Sequence, residues 1–164
     1  MLEFFASTED IMKILVATDG SQFSERAVKE VANRPWPDQS EIRVIYVIEP
    51  PILPSTDTLV MPEGFYDNMV TASENEARSS VNKAVEILKP CEASGITITT
   101  ALVKGHPRQA IIEEAEEWQA DLIVLGSHGY RGLTRLLLGS VAQAIAAHSL
   151  CSVEIVRKRE PKEG

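Results

Sequence analysis

Five short apolar runs, rich in β-branched residues, alternate along this chain with four stretches whose apolar residues recur every three or four positions. That alternation constrains the fold more than any other feature. The runs are Lys13-Ile14-Leu15-Val16-Ala17-Thr18, Ile42 to Ile48, Ile96 to Val103, Asp121 to Leu125 and Cys151 to Val156. Between them, Ser21 is placed to cap a helix reaching about Asn33, with Ser24, Ala27, Val28, Val31 and Ala32 facing inward. A long helix runs to about Cys91 on a stripe of Ala77, Val81, Ala84, Val85 and Leu88. Gly105-His106-Pro107 launches a third helix with Ile111, Ala115 and Trp118 inward, Pro107 suiting its first turn. A fourth helix spans about Gly139 to His148. Strands joined by helices predict right-handed crossovers and a parallel sheet covered on both faces: an α/β, single-domain, doubly wound five-stranded fold.

Length agrees with one domain, since 164 residues suffice for a self-contained core. The expected division is a short N-terminal extension over 1–11, the domain over 12–158 and a polar tail over 159–164. Pro50, Pro51, Pro54 and Pro62 predict a long loop over 49–66. A net charge of −8 argues against non-specific binding to nucleic acid or to an anionic membrane. Cys91 and Cys151 stand in no metal or redox spacing, which fits free thiols in a reducing compartment. The first ten residues lack the basic and apolar segments of a secretory leader, and no later run approaches transmembrane length. The expected location is the cytoplasm.

The chemistry concentrates in Gly126-x2-Gly129-x9-Gly139, followed directly by Ser140. The first glycine closes a buried strand and the last opens a helix, an arrangement that lets backbone N–H groups converge on an anion. Glycine there permits a positive φ and lets a phosphate approach without meeting a Cβ. Gly139-Ser140 is expected to supply free N–H groups, a hydroxyl and the positive end of a helix dipole. In doubly wound sheets ligands bind beyond the carboxyl ends of the strands, where the winding reverses. If the first and fourth strands are neighbours there, Asp19 shares the crevice, its carboxylate suited to ribose hydroxyls and not to phosphate. The main chain of Val47 could meet an adenine edge. The plainer alternative stays open: Gly20 and Gly126 as turn glycines, Asp19 and Ser21 as a helix cap. Neither Gly-x4-Gly-Lys-Ser/Thr nor Gly-x-Gly-x-x-Gly follows the first strand.

From about Lys13 to Arg157 the chain resembles the universal stress proteins. The resemblance is carried by Ile14-Leu15-Val16-Ala17-Thr18-Asp19-Gly20-Ser21, Gly105-His106-Pro107, Asp121 to Gly129 and Gly139-Ser140-Val141. It implies a sheet order 3-2-1-4-5, of the adenine nucleotide alpha-hydrolase-like kind, and places the chain in the family's ATP-binding branch because the glycine motif is intact. The implied ligand is ATP, or AMP or ADP, with or without Mg. By position, Ala17, Thr18 and Asp19 would lie near the nucleoside and Val47 would meet adenine through its backbone. Gly126, Gly129, Gly139, Ser140 and Val141 would line ribose and phosphates, with Leu125, Ser127 and His128 adjacent. Arg131 and Arg135 fall between motif glycines, where they read as solvated loop arginines before phosphate ligands. The family also implies a homodimer through the last strand, Cys151 to Val156.

Three functions follow as alternatives. One is a nucleotide-responsive stress or regulatory module; another is a slow ATPase or a self-phosphorylating enzyme using Ser127 or Ser140; the third is an interaction protein independent of nucleotide. Efficient catalysis is not expected, for the loop has no lysine and no acidic pair stands ready for a metal. A phosphoreceiver would need an aspartate after the third strand, where Lys104-Gly105 stands instead.

Overall fold

The computed structural model describes residues 11–52, 62–129 and 137–157. The strands are β1 (Lys13–Ala17), β2 (Glu41–Ile48), β3 (Thr97–Lys104), β4 (Leu122–Gly126) and β5 (Ser152–Val156). The helices are α1 (Gln22–Ala32), α2 (Phe65–Glu92), α3 (Pro107–Trp118) and α4 (Ser140–His148). All strand pairs are parallel, in the order β3-β2-β1-β4-β5. This is the expected doubly wound sheet. Its winding reverses between β1 and β4, where Ile14, Leu15 and Val16 stand opposite Leu122, Ile123 and Val124.

Successive residues of a strand point to opposite faces, so continuous apolar runs must bury both. Ile14, Val16, Ile42, Val44, Leu122 and Val124 pack under α1 and α2, against Val28, Val31, Val81 and Leu88. Leu15, Ala17, Ile45, Ile123 and Leu125 take the other face, against Ile111, Ala115 and Trp118 of α3 and Ile145 of α4. Every residue of β4 is buried. The helix stripes fall as the spacing predicts, except that Ala32 and Val85 are only half-buried.

Ser21 caps α1, its hydroxyl accepting from the Ser24 amide at 3.3 Å, and Pro107 stands in the first turn of α3. The long loop expected over 49–66 is shorter at its end than proline content suggests. α2 already begins at Phe65, behind a turn in which the Phe65 amide donates to the Pro62 carbonyl at 3.1 Å. Residues 53–61 of that segment lie outside the described residues, as do residues 1–10, Arg131, Arg135 and 158–164. Buried residues of α2 begin only at Ala77, so its first three turns add nothing to the core.

Candidate functional site

Two strand ends and one helix start meet at the carboxyl edge of the sheet. β1 ends at Ala17, whose partner in β2 is Ile45, and the Thr18 amide extends that ladder by donating to the Ile45 carbonyl at 3.0 Å. Val47 lies two residues past Ile45, on the same side of the molecule as Asp19. After Thr18 the chain turns sharply into α1. The Asp19 carboxylate accepts from the Ser21 amide through Oδ1 at 3.0 Å, and Thr18 Oγ1 accepts from the Gly20 amide at 3.3 Å. Ser24 Oγ stands 3.2 Å from Thr18 Oγ1 and accepts from the Asp19 amide at 3.3 Å. Gly20 has φ of +77°, a backbone that favours glycine, and a Cβ there would lie 2.5 Å from Ser80 Oγ of α2, which would have to turn aside.

The motif glycines owe their identity to close approach, and not to the left-handed backbone that the sequence also suggested. None of Gly126, Gly129 and Gly139 has a positive φ. A Cβ on Gly126 would meet the Phe23 carbonyl carbon at 2.6 Å and the Ser24 nitrogen at 2.9 Å. The end of β4 is thus pressed against the first turn of α1. A Cβ on Gly129 would stand 2.9 Å from Asp19 Oδ2. On Gly139 it would meet the His128 Cα at 3.2 Å and the Ser127 carbonyl oxygen at 3.3 Å. Asp19, Gly129 and Gly139 therefore form one contiguous surface, brought together from three segments.

The supply of backbone donors is smaller than expected. The Gly139 amide donates to the Ser127 carbonyl at 2.8 Å, and the Ser127 amide to the Val156 carbonyl at 3.0 Å. Both are spent on holding the loop. What α4 itself offers are the amides of Ser140, Val141 and Ala142, which by helix geometry have no acceptor within the helix. Among the described residues its N-terminus has no side-chain cap, and its first turn carries no acidic residue to offset the positive end of the dipole. Ser127 is buried, with Oγ 3.0 Å from His128 Nδ1, and the His128 ring lies against Phe23 at a centroid distance of 5.2 Å.

Of the residues singled out from sequence, Asp19, Gly126, Ser127, His128, Gly129, Gly139, Ser140 and Val141 assemble around this junction. Ala17 and Leu125 belong to the core beneath it, their side chains buried with α3 and α4. Sequence reasoning missed Phe23 and the hydroxyl role of Ser24. The Ser21-x2-Ser24 pair was a visible signal for the latter; nothing local pointed Phe23 at residues a hundred positions away. Among the described residues, no group of three His, Cys, Asp or Glu side chains could hold a metal ion.

Known proteins share this architecture. The universal stress protein family model matches residues 11–157. The chain belongs to that family. Universal stress protein MJ0531 of Methanocaldococcus jannaschii is 34% identical over 146 residues, covering 89% of this chain and 82% of its own length. Universal stress protein YxiE of Bacillus subtilis is 32% identical over 149 residues, covering 88% and 98%. The solved structure of MJ0577 superposes with a TM-score of 0.72 at 29% identity, over 92% of this chain and 98% of that one. A universal stress protein solved in complex with cAMP is 27% identical, with a TM-score of 0.59 over 88% and 96% of the two chains.

Proposed function

We propose that this member of the family binds an adenine nucleotide, ATP foremost, at the carboxyl ends of β1 and β4, and acts as a nucleotide-responsive regulatory module in the cytoplasm. The observation that carries the reading is the contiguity of Asp19, Gly129 and Gly139 with the uncapped start of α4. The family relative complexed with cAMP supports an adenine nucleotide as the ligand class. In this assignment the amides of Ser140 and Val141 donate to phosphate oxygens, the Gly139 amide being bonded to the Ser127 carbonyl and the Ser127 amide to the Val156 carbonyl of β5. Gly129 leaves the approach open. Asp19 Oδ2 accepts from ribose hydroxyls while Oδ1 stays on the Ser21 amide. Val47 presents main-chain groups to the base, with Thr18 and His128 bordering the site; Ala17, Leu125, Gly126 and Ser127 support it from beneath. Any Mg travels with the nucleotide's phosphates, since the described residues offer no cluster of ligands for it.

Calorimetric titration with ATP, AMP and cAMP tests the assignment. Saturable ATP binding is expected in the parent chain, and Gly139→Val, which forces the 127–129 backbone away from α4, should weaken it at least tenfold. Absence of saturable ATP binding in the folded parent would end the reading. The second reading, slow hydrolysis or self-phosphorylation, draws on one contact, the 3.0 Å approach of Ser127 Oγ to His128 Nδ1. Phosphate release and radiolabel incorporation with ATP and Mg separate it from binding alone; Ser127→Ala would remove the label if that hydroxyl were the acceptor.

A further inference from the structure

Next to the glycine loop, where Val156 pairs with Gly126 and accepts from the Ser127 amide, α1 and the end of β5 border a groove of about 370 Å³ lined by Arg26, Lys29, Glu30, Asn33, Val156 and Arg157. Residues 26, 29, 30 and 33 form one helical stripe, so the groove is built by a rigid element and not by a loop. Its charge runs against that of the chain, which carries −8 in total. Lys29 pairs with Glu25 at 2.6 Å and Glu30 with Arg34 at 3.3 Å. Arg26 and Arg157 have no ion-pair partner among the described residues.

The neighbouring arginine explains what is missing. Arg34, just past the end of α1, holds Glu154 with Nη1 and Nη2 each 2.7 Å from a carboxylate oxygen. Glu154 and Val156 lie on the same face of β5, two residues apart. The β5 residue that lines the groove with Arg26 is therefore Val156, which has no carboxylate to repeat the Arg34–Glu154 fork. Its Nη1 is shut off from solvent and has no acceptor. A buried donor on a charged group without an acceptor is costly, more so than a neutral one. The fold has two arginine positions over β5 and supplies a counter-anion for one.

We propose that this groove is a binding site for a small tetrahedral or planar oxyanion, of the phosphate or carboxylate class, a second site that adjoins the proposed nucleotide site through Val156. The anion enters beside Asn33 and Arg157, and a pivot of the Arg26 guanidinium brings its fork onto two oxygens as Arg34 does with Glu154. Arg157 adds charge and Asn33 a neutral donor.

Inorganic phosphate at constant ionic strength, balanced with chloride, is the probe, read by amide chemical shifts of the full chain carrying Gly139→Val to silence the loop. Saturable shifts in residues 26–33 and 156–157 are expected, and Arg26→Gln should weaken them about tenfold with the fold retained. Shifts confined to 126–129 and 139–141, shifts that chloride alone reproduces, or groove shifts indifferent to Arg26→Gln would overturn the proposal. So would a groove that ignores phosphate while Arg26→Gln lowers the sedimenting mass, because the acceptor would then be an acidic side chain of a second copy.

Discussion

Three glycines with one spacing do three different jobs, and substitution separates them. Gly126→Ala places a methyl 2.6 Å from the main chain of Phe23, which cannot swing aside. Overpacking of this kind costs about 1–3 kcal/mol, so its urea midpoint should fall even in the absence of ligand. Gly129→Ala meets only the end of the Asp19 side chain, at 2.9 Å. Its denaturation midpoint should stay close to that of the parent, while calorimetry shows weaker ATP binding because Asp19 is displaced. If Gly126→Ala proved as stable as the parent, the close packing of α1 on β4 would not be what that glycine serves. The motif was legible from the sequence, yet the reason for its first glycine was not, since Phe23 lies far away along the chain and reaches Gly126 only through the crossover.

At the scale of elements, α1 is the piece on which the site is mounted. Its first turn backs Gly126, its cap residue Ser21 bonds Asp19, and Phe23 flanks His128. Removing the cap with Ser21→Ala should cost about 1 kcal/mol, measurable as a lower thermal midpoint. Glu25 ties α1 to itself and to α2, accepting from Lys29 and Lys83 at 2.6 Å each. Those bonds, Lys29 foremost and then Lys83, hold its carboxyl down at about 2, below the ordinary 4.5, against a small opposing effect of burial. An unfolded chain takes up this proton near pH 4.5 while the folded one refuses it. The contribution is therefore complete above pH 4.5 and is lost as pH falls toward 2. Exposure and salt keep it to about 1 kcal/mol or less. Urea unfolding at pH 6 and pH 3 should show a smaller acid loss in Glu25→Gln than in the parent. α2 is uneven along its length, since burial starts at Ala77. Amide exchange over Phe65–Glu76 should be faster than over Ala77–Leu88; equal protection would mean that something covers the first turns.

For the molecule as a whole, β3 and β5 are the two edges of the sheet, and β5 is short and half-buried along most of its length. An edge of this kind invites pairing, and the family resemblance points to its twin in a second copy. Sedimentation at micromolar concentration should give about twice the 18.0 kDa chain mass, and a single species of chain mass would count against a dimer. The five strands, four helices and their faces could be read from residues because burial on both sides of a parallel sheet writes itself into local apolar spacing. Val44, Val124 and Val28 announce their strands and helix without reference to one another. What the tertiary structure alone decided was which donors are already bonded, why each glycine is small, and where an arginine lacks its counter-ion. Those depend on contacts such as Gly139 to Ser127, Gly126 to Phe23 and Arg34 to Glu154, between groups whose separation along the chain carries no record of their distance in space.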